Sequence, residues 1–596
     1  MKLWRVLGRI LRLTFLAASG GGDRGRAFWG GLGIYAFILG LQFFGVWISL
    51  RLIAWNKAFY DALEQMDGGA AARQIGVFAL LTAVSAGSFL LSDWLRKRLL
   101  MRWRENLTRA AMSRWLEGKA YWRLRPGLSP TPVDNPDQRL AEDCRLFVHH
   151  LLGESLELLS KVVALVSYVV LLWNLSAFPL SFALGGAQIE IPRYMVWAAF
   201  VYVALSTLLT HGLGKPLKGL YFAQERREAD FRHALVQMRE NATEIAVSGG
   251  EPAERRRLDG LFAQIKGNWR HLIRRELILG VFTRPYFQTV LRIPTFLALP
   301  AYFAGAVTLG GLMQLASAFS NVVTTLSWFI FSYRDLAAFV AVSERLDGLL
   351  KAAETPEPLP SAPAAILREP GAGEALRTHG LRLFTPEGRA LAPTPDLNLR
   401  PGSRTWLAGA SGRGKSTLLA ALAGVWPYGE GRIELPKGRM IFIPQGGHVF
   451  AGGLAASACY PEDPAALESE NLRRLLIRLG LEHRADRLEA PAAESLQGLS
   501  MGERQRLAFA RAILARPDWI ILDEATSGLD LGAETALLRL LREEAPEAAI
   551  LMVSHRPPLG LGAHDVIRIG GELSDPQDET QDSTQSEAQP EARMTA

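Results

Sequence analysis

The chain has 596 residues, 49% of them apolar and 21% charged, with a mean hydropathy of +0.10. That length and mixture exclude a single small fold, a disordered chain and a protein that is membrane alone, and leave a composite of lipid-facing and water-facing domains. An excess of 66 Lys and Arg over 59 Asp and Glu gives a net charge of +7, which suggests nucleic acid in a soluble protein but collects in the cytoplasmic loops of a membrane protein, so position must decide.

The start, Met1 to Ala18, is apolar but broken by Arg5, Arg9 and Arg12. It reads as an amphipathic surface helix within residues 1–27 rather than as a cleaved signal peptide. Apolar runs of roughly 20 residues, enough to cross about 30 Å of hydrocarbon, then recur six times before position 340. They lie near Phe28–Leu50, Ile75–Leu91, Val162–Phe178, Met195–Leu213, Ile293–Leu309 and Leu312–Phe331. Gly310 and Gly311 separate the last two and are expected to form a tight hairpin through positive φ. The segment before the first span and the loops 96–157 and 215–276 hold about 6, 12 and 13 basic residues, against about 3, 1 and 0 in the alternate loops. Both termini are therefore expected in the cytoplasm, and the basic charge is explained without a nucleic-acid partner.

The loops 96–157 and 215–276 carry helical patterning and are expected to project into the cytoplasm. Arg284 and Arg292 precede the fifth span and would either line a watery cavity or lie on a helix extension. Trp47, Trp55, Tyr60, Trp328 and Phe331 are candidates for a substrate cavity or for interface packing. Asn135-Pro136 opens NPDQRLAED with the chemistry of a helix start. Residues 346–373, rich in Pro, Ala and Glu, read as the linker that closes a membrane domain of 28–345. The tail 571–596, with seven acids and one arginine, reads as disordered. Cys144 and Cys459 lie too far apart in sequence to suggest a disulfide framework or a zinc site.

In the second half, 374–570, Gly409 to Ser416 read GASGRGKS between the apolar run TWLA and the helical LLAALAGVW. This is the phosphate loop in its strand–turn–helix setting. Gly409, Ser411, Gly412 and Gly414 let backbone N–H groups close around phosphate oxygens, Lys415 reaches the β and γ phosphates, and Ser416, followed by Thr417, supplies an oxygen to Mg²⁺. WIILDE, Trp519 to Glu524, reads as a buried strand ending in acids: Asp523 for Mg²⁺ and Glu524 to deprotonate the attacking water.

LSMGERQR, Leu499 to Arg506, lies between the phosphate loop and the acidic strand and resembles the signature motif of ATP-binding cassette proteins. Gln445 after MIFIP resembles that family's Q-loop, Ser527 to Asp530 its D-loop, and His555 after ILMVS its switch histidine. The resemblance implies a head-to-tail homodimer sandwiching two ATP. Lys415 and Ser416 of one subunit would face Ser500 and Gly502 of the other, with Asp530 beside them and Gln445 on the metal and reporting to the membrane domain. Thr385 occupies the place where the family usually stacks an aromatic on adenine, with Phe384 as substitute. Trp55-Asn56 with Phe59-Tyr60-Asp61, the NPDQR segment with Glu142-Asp143, and Glu228 to Glu251 resemble the SbmA/BacA-like membrane domain, which is related to subfamily D.

The expected fold is thus an all-α six-helix transmembrane domain followed by an α/β P-loop cassette. The implied function is a half-transporter of a bacterial inner membrane, with lipid around it and a peptide or hydrophilic solute such as cobalamin as cargo, import favoured. A fatty-acyl or lipid transporter is the alternative. The resemblance also makes NPDQRLAED a coupling helix docking near Gln445, with a second contact in Glu244 to Arg257.

Overall fold

A computed structural model describes residues 2–16, 24–125, 127–128, 133–184, 187–354, 366–466, 468–488 and 490–569. The tail read as disordered lies outside these. The chain divides into two compact units, Met1–Arg114 with Asn135–Lys351, and Trp115–Asp134 with Ala352 onward.

In the first unit the long helices are α1 Lys2–Leu16, α2 Arg24–Glu64, α3 Gly68–Leu116, α4 Cys144–Leu175, α5 Tyr194–Glu240, α6 Glu251–Phe303, α7 Leu309–Phe331 and α8 Tyr333–Glu354. Among the described residues four helices are long and apolar enough to cross a membrane: Phe28–Glu64, Gly68–Arg123, Pro136–Leu175 and Tyr194–Glu240. At 1.5 Å per residue α3, α5 and α6 are each about 70–80 Å long, far more than a bilayer needs, so their charged halves continue the apolar ones as single rods. The buried core of this unit joins Ile53, Ala164, Leu172, Met195, Ala199, Ala298, Ala318 and Phe319. Its alanines let helix backbones approach closely. Between α4 and α5 stands a short antiparallel pair, β1 Leu180–Leu184 and β2 Ala187–Ile191.

In α1 Ile10 and Thr14 are fully buried while Arg5 and Arg12 are exposed. Phe15 meets Trp103 edge-on at 4.8 Å, and Asn106 of α3 donates to the Thr14 carbonyl at 3.0 Å. The expected Gly310-Gly311 hairpin is corrected. The turn between α6 and α7 is 304–308, with Gly305 at φ +70, and both glycines already lie in α7. Thr308 caps α7 by accepting the Gly311 N–H at 3.1 Å. Gly310 is required for a different reason, close approach, since a Cβ there would fall 2.2 Å from the Lys57 carbonyl oxygen. Its N–H donates to Asp61 and that of Leu309 to Glu64, at 3.1 and 3.0 Å, so two carboxylates from the end of α2 hold the N-terminus of α7.

Of the NPDQRLAED reading, Pro136 does stand at the helix start, and only the Asn135 cap is corrected. Asn135 has left-handed backbone and makes no side-chain cap; Pro136–Gln138 forms one turn, and Arg139–Asp143 a π-helical stretch leading into α4. Arg139 donates to the Arg345 carbonyl at 2.9 Å, and Arg345 grips the buried Asp143 through two bonds of 2.9 and 2.7 Å. The segment's described partners are therefore on α8. The stretch just before it, Trp115–Asp134, clusters with the cassette. There Trp122 donates to the Val425 carbonyl at 2.9 Å, Lys119 to that of Ala423 at 3.5 Å, and Tyr428 to that of Leu128.

Among the named aromatics, Trp55 donates to the Gln74 carbonyl at 2.7 Å and stacks on Phe59, which in turn meets Tyr60 edge-on. Trp328 donates to Glu157 at 2.7 Å. Trp47 is exposed under the Arg51 guanidinium, and the side chain of Phe331 is outside the described set. Arg284 and Arg292 are exposed on α6, and the tip near Glu244, with Val247 84% exposed, is open to solvent.

In the second unit regular structure enters the expected linker from both sides, α8 running to Glu354 and β3 Leu367–Gly373 following. The remaining strands are β4 Leu376–Leu383, β5 Asn398–Leu399, β6 Arg404–Ala408, β7 Gly429–Pro436, β8 Met440–Ile443, β9 Trp519–Asp523, β10 Ala549–Val553 and β11 Asp565–Arg568. A five-stranded parallel sheet has the order β11-β6-β10-β9-β8, and a mixed one β3-β7-β4-β5. Every residue of β10 and the first four of β9 are buried, the continuous apolar pattern of a parallel sheet covered on both faces. Helix α9, Lys415–Leu422, packs Leu418, Leu419 and Leu422 into a core that includes Leu376 and Ile433 of the mixed sheet and Leu407 and Leu551 of the parallel one.

Candidate functional site

In an open parallel sheet, ligand-binding groups gather beyond the carboxyl ends of the strands. Four adjacent strands do so here. β6 ends at Ala408 and is followed by Gly409; β9 ends at Asp523 and is followed by Glu524. Ile443 of β8 pairs with Leu522, and Val553 of β10 with both Asp523 and Leu407. Gln445 and His555 each stand two residues past their strand, so the register alone brings them to the same edge as the phosphate loop.

Gly409, Gly412 and Gly414 have φ of +155, +77 and +89, and a Cβ on Gly409 would lie 2.9 Å from the Ile569 carbonyl. Gly414 stands at the N-cap of α9, where unpaired N–H groups and the helix dipole favour an anion. Lys415 is 5% exposed and donates to the Gly409 and Ala410 carbonyls at 2.7 and 3.0 Å. Ser411 and Gly412 are exposed and Thr417 is half-buried. Ser416 Oγ donates to Asp523 Oδ1 at 3.0 Å. Burial pushes the Asp523 carboxyl above the usual carboxylate range, against the pull of that hydroxyl.

Gln445 Nε2 donates to one carboxylate oxygen of Glu524 at 2.9 Å, and His555 Nε2 lies 3.0 Å from the other. The Glu524 side chain is only 15% exposed. Its backbone is left-handed, φ +47, and is held by its N–H on the Val553 carbonyl at 3.0 Å. Two residues 110 positions apart are thus gathered on one carboxylate, positioned beside an acid–hydroxyl pair and an anion-binding loop. Such a site can bind a polyphosphate and aim a water at its terminal phosphorus.

Ser500 and Gly502 open helix α10, Met501–Leu514. Ser500 Oγ accepts the Glu503 N–H at 3.2 Å while Glu503 accepts the Ser500 N–H at 2.7 Å, a reciprocal capping box. Gly502 faces the Ser527–Asp530 turn, where an added Cβ would lie 3.1 Å from Leu529. Fully buried Gln505 spans that turn, donating to Ser527 at 3.2 Å and accepting the Gly528 N–H at 3.0 Å. Asp530 caps α11, Leu531–Glu544, by accepting the Ala533 N–H at 2.8 Å. Among the described residues the contacts of Ser500 and Gly502 stay in this cluster and share none with Lys415 or Ser416.

The residues that sequence reasoning missed are Arg484 and Glu503. Arg484, 9% exposed, donates to Glu503 at 2.9 Å and to the Gln497 and Gly498 carbonyls at 3.0 Å each, so one guanidinium staples the turn before Ser500 to the helix after it. Burial alone would raise the Glu503 carboxyl, but Arg484, the Ser500 N–H and His483 outweigh it and bring it down to about 2. The Ser-x-x-Glu spacing of a capping box was the readable signal; nothing in sequence points to Arg484. Thr385, in the place of an adenine-stacking aromatic, closes the Thr385–Arg389 turn, its hydroxyl accepting the Arg389 N–H at 3.3 Å. Phe384 is half-buried, its carbonyl accepting from Trp426 at 3.0 Å.

A parallel-sheet P-loop ATPase carrying a signature helix, in one chain with a bundle of membrane-length helices, defines the ATP-binding cassette transporters. The chain belongs to that family: residues 25–303 match the ABC transporter transmembrane region 2, and residues 394–527 the ABC transporter cassette. It is 34% identical to the inner membrane ABC transporter ATP-binding protein YddA of Escherichia coli K12, over 91% of this chain and 93% of that one. It is 27% identical to the chloroplastic ABC transporter D family member 2 of Arabidopsis thaliana, over 91% and 83%. The human lysosomal cobalamin transporter ABCD4 is also 27% identical, over 77% and 78%.

Proposed function

We propose that two copies of this chain form a transporter of a bacterial inner membrane that hydrolyses ATP at two shared sites and imports peptides or hydrophilic solutes such as cobalamin by alternating access. The observation that carries the reading is the gathering of Gln445 and His555 on Glu524, because a carboxylate held at both oxygens is fixed where a water can be aimed. Six spans complete the membrane unit, the upper part of α6 and the uncharged α7 adding to the four apolar helices, and both termini are cytoplasmic.

Glu524 takes the proton of the attacking water. His555 steadies the γ-phosphate, and Gln445 senses whether that phosphate is present. The backbone of Gly409 to Gly414 cradles the phosphates, with Ser411 inside the loop and Thr417 in the helix that follows it, and with Lys415 turning its ammonium from the loop carbonyls to the β and γ oxygens. Ser416, Asp523 and Gln445 would hold Mg²⁺; their hard oxygens, 3.0 Å apart between the first two, and the desolvated Asp523 carboxylate suit a cation. When bound, that ion neutralises charge developing on the β and γ oxygens.

Ser500 and Gly502 of the second copy close the site from the other side, with Asp530 at the same seam; a chain with one cassette must pair to complete it. ATP binds the closed pair better than the open one, and that difference drives the cycle. The test is transport into proteoliposomes with ATP on one side and a panel of peptides, cobalamin and acyl-CoA. Inward movement of a peptide or cobalamin is expected; selective movement of acyl-CoA, or efflux of every cargo, would overturn the assignment.

A further inference from the structure

Where α5 passes from its apolar half into its charged half, Pro216 lies within it and leaves the Gly212 carbonyl without its usual N–H partner. Beside it lies a cavity of about 350 Å³, lined by Pro216 and Leu220 of α5 and by His271, Arg274, Arg275 and Ile278 of α6. The four α6 residues fall at i, i+3, i+4 and i+7, one stripe of a helix. Leu220 and Ile278 give the cavity an apolar wall, and the two guanidiniums with His271 give it a cationic one.

The surroundings fix that wall. Asn268 donates to the Leu220 carbonyl and to Gln224 at 3.0 and 2.9 Å, tying α5 to α6 at the water side. Glu276, the acid next to Arg275 in the chain, accepts the Tyr221 hydroxyl. Among the described residues neither Arg274 nor Arg275 has a hydrogen-bond or ion-pair partner. Just beyond them α6 exposes Leu277, 67%, and Val281, 70%. A second cavity between the same helices, at Asp230, His233, Arg256 and Arg257, lies about 20 Å further along α5. It contains a carboxylate that would repel an anion, which the first does not.

Two forked cations without an acid, facing an apolar wall at the level where the helices turn from greasy to charged, match the phosphate and the first carbons of a lipid. We propose that this cavity binds the phosphate of an anionic phospholipid of the cytoplasmic leaflet, with the acyl chains leaving along Ile278 and the exposed Leu277 and Val281. The inference rests on the reading that places 215–276 on the cytoplasmic side of a transporter. The ligand chemistry is shared with soluble phosphates; the apolar wall selects the lipid.

The full-length protein is reconstituted in nanodiscs of phosphatidylcholine with a minority of phosphatidylglycerol, extracted, and its retained lipid counted by native mass spectrometry without nucleotide. Wild type is expected to retain phosphatidylglycerol preferentially, Arg274→Gln with Arg275→Gln to weaken retention by about tenfold or more, and Arg274→Lys with Arg275→Lys to keep part of it. The charge-matched pair Arg239→Gln with Arg255→Gln, outside the cavity, should retain lipid as wild type does. Equal retention of the two lipids by wild type, or undiminished retention by the Gln pair, overturns the proposal. Should the Gln pair not fold, the wild-type preference and the Lys pair decide. In a parallel arm, inorganic phosphate and sn-glycerol 3-phosphate are titrated onto protein in phosphatidylcholine alone; saturable binding as tight as that of the lipid would reassign the cavity to a soluble anion. Retention is read without turnover, so it can fail while ATP-driven transport stands, and the reverse.

Discussion

Glu503→Gln removes one charge from the staple that shapes the start of the signature helix. The carboxylate accepts from Arg484 at 2.9 Å, from His483 at 2.7 Å and from the Ser500 N–H at 2.7 Å, and is only 15% exposed, so solvent screens it little. Its fall from an ordinary 4.5 to about 2 corresponds to about 3 kcal/mol at 1.36 kcal/mol per unit. Gln can still accept the Ser500 N–H from the third helical position, so the loss is mostly that of charge, including the penalty of a nearly buried Arg484 left without its anion. For a cassette of about 200 residues, 2–4 °C per kcal/mol predicts a midpoint lower by about 6–12 °C. The assay is a thermal melt of the full-length protein at neutral pH, resolving the cassette transition. The sign with pH follows from the depressed native value: the contribution is complete above 4.5 and is lost as pH falls through about 2, so the gap between wild type and variant must close across that window. A neutral-pH midpoint within about 2 °C of wild type, or a gap that widens in acid, would refute the reasoning.

Glu524→Gln should keep ATP binding, measured by nucleotide filter binding, and lower turnover by about 10²–10⁴, the usual worth of a general base. Ser500→Trp should depress phosphate release in the assembled protein while leaving the affinity of Lys415's loop for ATP nearly unchanged; equal turnover would count against a site shared between copies. Gly310→Ala forces a methyl to 2.2 Å from the Lys57 carbonyl, and a loss of about 1–3 kcal/mol should appear as a lower melting midpoint of the membrane unit. Trp122→Ala removes the bond to Val425 and should separate the two activities, ATP turnover persisting while its stimulation by cargo in proteoliposomes falls.

The cassette was legible because its chemistry is concentrated in short, ordered motifs: GASGRGKS, LSMGERQR and WIILDE each carry their own strand or helix signal, and the parallel register then brings Gln445, Glu524 and His555 together with no further information. Four membrane-length helices were legible from hydropathy, which depends only on composition along a run. What escaped depends on which distant groups meet. The need for glycine at 310 is set by the Lys57 backbone, more than 250 positions away, and so looked like a turn signal. Arg484 reads as one of many surface arginines until the fold buries it against Glu503. Thr385 stands in sequence where an aromatic is usual, yet in the fold its hydroxyl is occupied in closing its own turn. The segment around Trp122 carries no motif; only the folded cassette supplies the carbonyls of Ala423 and Val425 that it answers.

That last contact changes what the nucleotide-binding half consists of. Trp115–Asp134 clusters with Ala352 and beyond, although the membrane unit encloses it in sequence on both sides. The polypeptide therefore visits its motor early, threads back through the bilayer part, and returns to finish it. Cutting the gene between the two halves would yield a C-terminal product lacking a stretch of its own packing, with Trp426 and Tyr428 at the edge of the gap. Any workable dissection or chimera has to carry residues 115–128 along with the cassette, either as a fused peptide or supplied in trans.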